Sequence, residues 1–276
     1  MKSSISSVDL QVLSRELNDL LVGARFDKAY SLVNGSIKVR FHKSGVGSRD
    51  LIATPNFVCV SSFDYPQLEQ PDSFAMGLRK YLEGLIVNSV AQHEFDRILE
   101  FGFEGNRGKF TLIVELFSTG NVILCDGNKK IIGIQRRQKW KDRILTPGRE
   151  YVYPPSAGNP LALDSEKLKT ILRYSEKGIA AALASLGLGG FYAEEVCLNA
   201  GVDKTRTAGS LSQEEVEATY RSLRDLIENT QKGVAKPCII LSHDESYIDV
   251  APFDFKMYEM NVKKPFSSFN EAVDEY

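Results

Sequence analysis

Short apolar runs joined by tight-turn dipeptides constrain this chain more than any other feature. The runs "ARFDKAYSLV" and "SIKVRFH" flank Asn34-Gly35, and "NVILCDG" meets "KKIIGIQ" at Asp126-Gly127. Asn-Gly and Asp-Gly readily adopt the turns that connect antiparallel strands. The pattern therefore predicts a mainly antiparallel sheet within residues 1–160.

Two helical patterns interrupt these strands. Leucines recur at helical spacing over 9–22, and a second amphipathic stretch covers 72–85, with Asp72 or Ser73 as its cap. The fold class predicted for residues 1–160 is therefore α+β.

A proline- and glycine-rich stretch, "PGREYVYPPSAGNP" at 147–160, is typical of a connector. The pattern beyond it is helical over 161–233, with an S-x-x-E capping box at Ser212 and Glu215. The segment "PCIILSHDESYIDVAPFDF" then indicates a β-hairpin turning at Asp244-Glu245. We therefore predict three parts: 1–160, 161–233 and 234–276.

Composition places the chain among ordinary globular proteins, with 43% hydrophobic and 25% charged residues in 276. Its apolar runs fall short of the roughly 20 residues that cross a bilayer, and the N-terminus lacks a signal-peptide pattern. The cysteines lack metal-ligand spacing, so we expect reduced thiols, no structural metal and a cytoplasmic location. These cysteines are Cys59, Cys125, Cys197 and Cys238.

The net charge of −2 conceals an uneven distribution. Residues 1–150 carry a net charge of +4, and residues 151–276 carry −6. A polyanionic partner is therefore expected to meet the first half of the chain.

A glycine pattern in "LGLGGFYAEEV" matches the helix-hairpin-helix form G-h-G-x-x-x-A. Gly187 and Gly189 permit a tight turn, and the start of the next helix offers free N–H groups to a phosphate. Gly190 and Phe191 stand where nucleic-acid-binding versions often carry Lys or Arg. The pattern equally suits a hairpin that only packs two helices together.

The segment "RRQKWKDR" at 136–143 concentrates five basic residues around the single tryptophan. Such groups neutralise phosphates, and an indole face can stack on a base, although a solvated loop has the same composition. Two further cations lie on the second predicted helix. The candidate RNA-backbone contacts are Arg79, Lys80, Arg136, Arg137, Lys139, Trp140, Lys141 and Arg143.

The stretch "EFDRILEF" at 94–101 places a cation in an apolar row. If the stretch is a strand, Arg97 shares a face with Phe95 and Leu99, beside Asp96 on the other face. Arg97 then either forms a structural ion pair or reaches a phosphate or base edge.

Five stretches together resemble the NFACT family, which includes the RqcH, NEMF and FbpA-like proteins. They are "VDLQVLSRELNDLLVGARFDKAY", "SFAMGLRKYLEGLIV", "EFDRILEF", "LFSTGNVILCDGNKKIIG" and "PGREYVYPP", in the family's order. The resemblance implies a first domain like that of formamidopyrimidine-DNA glycosylases, then a helix-hairpin-helix domain. It also implies that "NEAVDEY" begins a coiled-coil helix that the chain does not finish.

The resemblance also implies a function in ribosome-associated quality control. Family members bind the large ribosomal subunit carrying a stalled peptidyl-tRNA, recruit tRNA (alanyl-tRNA in prokaryotes) and support untemplated C-terminal tailing. Asp9, Asp96 and Arg97 match residues that serve tRNA engagement, and we expect them to lie open to solvent. The ribosome would perform the chemistry, so we expect no catalytic residue, cofactor, metal, small-molecule substrate or membrane contact.

Two rival functions remain. A glycosylase of the same fold attacks through an N-terminal proline amine, whereas this chain begins Met1-Lys2. A fibronectin-binding adhesin has a historical family name behind it, but neither a signal peptide nor a wall anchor is recognisable.

Overall fold

A nine-stranded antiparallel sheet dominates the first half of the chain. The computed structural model describes residues 2–140, 143–156, 158–232 and 236–276. The strands are β1 (Arg25–Ser31), β2 (Ile37–Lys43), β3 (Gly47–Ala53), β4 (Val58–Ser61), β5 (Ile86–Gln92), β6 (Ile98–Gly105), β7 (Gly108–Glu115), β8 (Asn121–Asp126) and β9 (Ile131–Ile134). Their order is β4-β3-β2-β1-β5-β6-β7-β8-β9, which confirms the prediction of a mainly antiparallel domain.

The two tight turns form where the dipeptides predicted them. Between β1 and β2, Asn34 accepts a 3.0 Å hydrogen bond from the Ser36 amide, and Gly35 has a φ of +78°. Between β8 and β9, Asp126 accepts from the amides of Asn128 and Lys130. Each side chain thus satisfies amides that the turn would otherwise leave unpaired.

The sheet bends into two layers where β1 meets β5. These strands pair through Arg25 and Ile86, and backbone hydrogen bonds from Phe26 to the Leu85 carbonyl and from Val87 to the Ala24 carbonyl flank that pair. Phe41 and Phe103 come from strands that are not neighbours, yet their rings stack 6.3 Å apart. Phe26 contacts both rings edge-on. Burial of these aromatic rings holds the two layers together.

Helices α1 (Ser7–Leu21) and α2 (Ser73–Leu82) form where the helical spacing predicted them. Asp9 and Ser6 form a capping box at the start of α1, and Asp72 caps α2. The apolar side of α1 is buried on the sheet through Leu10, Leu13, Leu17 and Leu21.

A second apolar cluster covers the outer side of strands β6 to β9. It includes Ile98, Ile113 and Ile123, and it is closed by Leu145 and Tyr151. The covering segment contains a short hairpin of β10 (Gln138–Lys139) and β11 (Ile144–Leu145). Part of the basic segment at 136–143, including Trp140, therefore packs over this apolar cluster.

Four helices follow the connector: α3 (Ser165–Arg173), α4 (Ile179–Leu183), α5 (Gly189–Ala200) and α6 (Gln213–Lys232). Ser212 and Glu215 exchange backbone-to-side-chain hydrogen bonds, which confirms the predicted capping box. The buried apolar side chains of these four helices pack with those of the nine-stranded sheet in one continuous core. The limits at residues 160 and 233 stay a prediction.

By length and composition alone, Ile179–Ala200 is suited to cross a membrane. The stretch is bent, however, because Gly187 has a non-helical φ of +100° between α4 and α5. Its side chains Ile179, Leu183 and Tyr192 are buried within the protein core. Its apolar composition therefore has a packing role in this structure.

The hairpin predicted near the C-terminal end is present with an additional strand. Strands β12 (Cys238–Leu241) and β13 (Tyr247–Ala251) pair as expected, and β14 (Val262–Pro265) pairs with the other edge of β12.

Helix α7 (Phe269–Glu275) folds back onto the first part of the chain. Glu16 of α1 accepts the amides of Phe269 and Asn270. The Asn270 side chain accepts from the Val60 amide at 2.7 Å and donates to the Val60 carbonyl at 2.8 Å. Residues 269–275 are helical and pack against β4 and α1. That this segment begins a coiled-coil helix stays a prediction.

Candidate nucleic-acid interface

Asp96 and Arg97 lie in a turn, not in a strand. The Asp96 amide donates to the His93 carbonyl at 3.0 Å, Glu94 has a φ of +46°, and β6 begins only at Ile98. The prediction of alternating faces through Arg97 is therefore wrong, because the turn interrupts the strand geometry on which alternation depends.

The Arg97 guanidinium is half-buried and makes one long side-chain hydrogen bond to the described part of the chain. Its Nη1 atom lies 3.4 Å from the Ser4 hydroxyl, while its carbonyl accepts from the Leu116 amide at 2.8 Å. No ion pair within the described residues includes this guanidinium, and burial lowers the pKa of Arg97. The alternative of a structural ion pair thus finds no partner there, and guanidinium donors remain available for a ligand.

Asp9 is fully buried, with 0% of its surface exposed. Its carboxylate accepts hydrogen bonds from Tyr192 Oη at 2.5 Å and from the Ser6 amide at 2.8 Å, and it pairs with Lys2 Nζ at 3.0 Å. The expectation that Asp9 lies open to solvent is wrong, because α5 and the N-terminal segment cover it.

Lys2 extends this buried network to the C-terminal sheet. Its Nζ atom lies 3.2 Å from Asp249 and donates to the Val250 carbonyl at 2.9 Å. Tyr258 donates to the other Asp249 oxygen at 2.6 Å. Burial acts to lower the pKa of Lys2, but its two carboxylate partners outweigh it and the net pKa is raised. Burial and the Asp9 charge raise the pKa of Tyr192 well above its ordinary value.

The N-terminal segment, residues 2–6, links the buried network to the Arg97 turn. Ser4 contacts Arg97, while Ser6 and Lys2 contact Asp9. Beside this segment lies a cleft of about 420 Å³, which we call the N-terminal cleft. It is lined by Lys2, Ser3, Ser4, Ser6, Leu188, Gly189, Gly190, Phe191, Tyr192, Ile248, Asp249 and Tyr258.

The predicted glycine turn joins α4 to α5 at the rim of this cleft. Gly187 and Gly189 have φ values of +100° and +74°, and a Cβ on Gly187 would lie 2.6 Å from the Gly158 carbonyl oxygen. Gly190 is exposed and unobstructed, and the first turn of α5 has no side-chain cap. The assignment of this turn as a nucleic-acid-binding helix-hairpin-helix stays a prediction.

Arg143 is buried and cannot serve as the exposed cation that the basic segment predicted. It is 8% exposed, and its guanidinium forms a bidentate pair with Glu115 at 2.7 and 3.0 Å. Tyr151 also donates to Glu115, and the Trp140 ring lies 4.6 Å over Arg143. The physical reason is that this end of the segment closes the second apolar cluster and places its charge on a buried carboxylate.

The remaining cations of this segment differ in availability. Arg136 is occupied by the Gly35 and Gly120 carbonyls at 3.2 and 3.3 Å, so it braces loops. Arg137 and Lys139 are exposed. Lys141 lies outside the described residues.

The two cations of α2 also differ. Arg79 is half-buried; its Nε donates to the Ala29 carbonyl at 2.9 Å, and its guanidinium lies 5.1 Å from the Tyr30 ring centre. Lys80 is exposed beside the Tyr81 ring. Only Lys80 of this pair presents its charge mainly to solvent.

Sequence reasoning missed Lys2 and Tyr192 as buried partners of Asp9, and Asp249 as the second carboxylate that binds Lys2. One local signal was available, since Ser6-x-x-Asp9 has the capping-box spacing that makes Asp9 a helix-start residue. Tyr192 and Asp249, by contrast, are distant in sequence. Among the described residues, no cluster of three His, Cys, Asp or Glu side chains is arranged to hold a metal ion.

These features define a class of protein: an α+β domain whose N-terminal segment and following helices enclose a polar cleft. Residues 6–276 match the model of the NFACT N-terminal and middle domains, so the chain belongs to the NFACT family.

Characterised relatives match along the whole chain. It is 34% identical over 289 residues to the archaeal Rqc2 homolog aRqcH of Methanocaldococcus jannaschii and 30% identical over 305 residues to human ribosome quality control complex subunit NEMF. Both alignments include 100% of this chain, which spans 42% and 28% of the respective relatives.

A solved structure shares the fold. The N-terminal part of the fibronectin/fibrinogen-binding protein from Streptococcus suis superposes with a TM-score of 0.77 and 26% identity. The match covers 99% of this chain and 98% of that one.

Proposed function

We propose that this chain is the RNA-engaging part of a non-catalytic ribosome quality control factor. It binds tRNA, with alanyl-tRNA the expected species, and the large ribosomal subunit that carries a stalled peptidyl-tRNA. In that complex it supports untemplated C-terminal tailing in the cytoplasm. The support is membership of the NFACT family and the names of the relatives, which are ribosome quality control subunits.

The observation that carries the proposal is the environment of Arg97. A half-buried guanidinium whose side-chain contact with the described residues is one 3.4 Å approach to Ser4 keeps donors for phosphate, ribose or base acceptors. The turn holds Asp96 beside it, where a carboxylate can accept from base amines or ribose hydroxyls. We assign direct RNA contact to Asp96 and Arg97.

Asp9 receives a different role from the one that the resemblance implied. It is buried with Lys2 and Tyr192, so its effect on RNA is exerted through the N-terminal segment that contacts Arg97. The exposed cations Lys80, Arg137 and Lys139 would add salt-sensitive attraction to phosphates.

The test compares tRNA binding by Arg97→Ala and Arg97→Lys with that of the unchanged protein, using the full-length chain. We expect a loss of about tenfold or more for Arg97→Ala, as for a charge-assisted hydrogen bond. Arg97→Lys should recover little, because an ammonium lacks the planar fork of donors. Arg137→Ala is the control and should weaken binding of all RNAs slightly. A folded Arg97→Ala protein with normal tRNA affinity would reject the assignment.

The ribosomal part is tested in cells. The full-length protein should co-sediment with large subunits, and sequencing of the bound RNA should show enrichment of one tRNA species. Loss of that tRNA in Arg97→Ala, with sedimentation retained, would separate tRNA recruitment from subunit binding. Absence of the protein from large subunits after translational stalling would contradict the proposal.

A further inference from the structure

Gln92, the last residue of β5, joins two segments that lie on either side of it. Its Nε2 atom donates to the Ser7 carbonyl at 2.9 Å and to the Asp96 carbonyl at 2.8 Å. Ser7 is the first residue of α1, and Asp96 belongs to the turn that carries Arg97. One primary amide therefore connects the helix start to this turn.

The rest of the Gln92 amide is used in an unusual way. Its Oε1 atom is buried and accepts no hydrogen bond from any residue that the structure describes. Burying an unsatisfied acceptor costs free energy, so the Oε1 atom of Gln92 lowers the stability that its amide group could otherwise contribute. What the position requires is both N–H groups of a side chain of this length.

The same stretch of chain holds the Arg97 turn at a second place. Ser4 lies 3.4 Å from the Arg97 guanidinium, three residues before the Ser7 carbonyl that accepts from Gln92. The Leu116 amide donates to the Arg97 carbonyl at 2.8 Å. The backbone of the turn is thus held at Asp96 by the Gln92 side chain and at Arg97 by the amide of Leu116, the residue after β7.

We propose that Gln92 is a positioning residue that fixes the Asp96–Arg97 turn against the start of α1 and so orients Arg97 for RNA. This inference rests on the proposed function and names how its contact residues are preorganised. A donor already held in its bound geometry loses less conformational freedom when the RNA binds.

The side-chain chemistry makes the inference specific. Glutamate has nearly the same shape but, when ionised, no donor for either carbonyl, and it would place a charge against two carbonyl oxygens. Methionine keeps the length and removes both donors without adding a charge. Both variants should release the turn while leaving the surrounding apolar packing nearly unchanged.

The experiment measures RNA preference, which a loss of stability alone would not move. For full-length Gln92→Glu and Gln92→Met, we expect the ratio of affinities for tRNA and for an unrelated RNA of equal length to fall about tenfold, the effect of one charge-assisted contact. Affinity for the unrelated RNA should stay the same for Gln92→Met. If Gln92→Glu does not fold, Gln92→Met gives the same comparison without the added charge.

Asn261→Asp is the matched control. Asn261 donates to the Leu241 carbonyl at 3.2 Å in the C-terminal sheet, far along the chain from the Arg97 turn. The substitution removes an amide donor and adds a charge in the same way. Asn261→Asp should leave the RNA preference unchanged. An equal fall in RNA preference for Gln92→Glu and Asn261→Asp would overturn the inference.

A second readout separates this inference from the proposed function. Amide hydrogen exchange at Asp96 and Leu116 should accelerate in Gln92→Met, while exchange at Val114, paired within the sheet, stays slow. Unchanged exchange at the turn, or unchanged RNA preference in a folded variant, would overturn the positioning role. If instead Arg97→Ala binds tRNA normally, the proposed RNA contact fails and the exchange data alone decide the role of Gln92.

Discussion

The hydroxyl of Tyr192 donates a 2.5 Å hydrogen bond to Asp9, across 183 residues of sequence. It connects the first turn of α1 to helix α5 in the helical part of the chain. Because Lys2 binds the same carboxylate and also Asp249, the contact belongs to a network shared by three parts of the protein. Asp9, which was expected at the RNA-binding surface, thus links three parts of the fold.

Loss of the Tyr192 hydroxyl should destabilise the protein measurably. Tyr192→Phe leaves the ring in place but removes a donor to a buried carboxylate, so we expect a cost of about 1.5–3 kcal/mol. Urea-induced unfolding measures the change. Tyr220→Phe is the control, since within the described ranges that hydroxyl forms no hydrogen bond, and its effect should stay under about 0.5 kcal/mol. Equal effects would argue against the network.

Truncation of Asp9 should destabilise the protein far more than truncation of Arg97. Asp9→Ala leaves Lys2 short of a partner in a buried site, so we expect a loss of about 3–5 kcal/mol in unfolding free energy. Arg97→Ala removes one long contact and should cost less than about 1 kcal/mol. A surface role for Asp9 would instead leave the stability of Asp9→Ala near that of the unchanged protein.

The basic segment should divide into a structural and a solvent-facing part. Arg143→Ala strands the Glu115 carboxylate, which is 1% exposed, and should cost about 3–5 kcal/mol. Lys139→Ala should change stability by less than about 0.5 kcal/mol and lower RNA affinity at low salt. Thermal unfolding and salt titration together measure both effects. A stable Arg143→Ala protein would contradict the buried pair.

Stability should fall in alkaline solution. Tyr192 and Lys2 have ordinary pKa values of 10.0 and 10.5, and both pKa values are raised in the folded protein. Groups with raised pKa values hold their protons more tightly when folded, so their contribution is complete below about pH 10 and is lost as the pH rises further. Tyr192→Phe should therefore weaken the pH dependence of unfolding above pH 10. An unchanged slope would exclude Tyr192 as a source.

Two glycines of one turn should differ sharply. Gly187→Ala places a Cβ 2.6 Å from the Gly158 carbonyl oxygen at a φ of +100°, so we expect a cost above about 1 kcal/mol. Gly190→Ala meets nothing within 4 Å inside α5 and should be neutral or slightly stabilising. Comparison of melting temperatures tests the pair, and similar values would mean that the turn adapts.

Local signals predicted most elements of this fold. Asn34-Gly35 and Asp126-Gly127 marked real turns, and Ser212 marked a real helix start, because each acts on neighbouring backbone. Alternation failed at Arg97, since the apolar residues on either side of a turn can imitate one continuous strand. Strand β14, the third strand of the C-terminal sheet, had no comparable sequence signal.

The candidate site was less accessible to sequence reasoning. Arg97 and Asp96 are neighbours in a turn, and the family resemblance pointed to both. The burial of Asp9 depends on Tyr192 and Asp249, which only the tertiary fold brings near it. Arg143 was misjudged for the same reason, because its partner Glu115 lies 28 residues away. Charge patterns along a chain do not reveal which charges the core will pair.

The Asn270 amide occupies both the donor and the acceptor of Val60, much as a neighbouring strand would. Strand β4 is an end of the nine-stranded sheet, where open backbone invites another molecule to add itself. The Asn270 side chain thus occupies backbone groups at which a strand of another molecule could otherwise pair with the sheet. Asn270→Leu, which lacks this amide, is expected to promote edge-to-edge self-association and eventual precipitation.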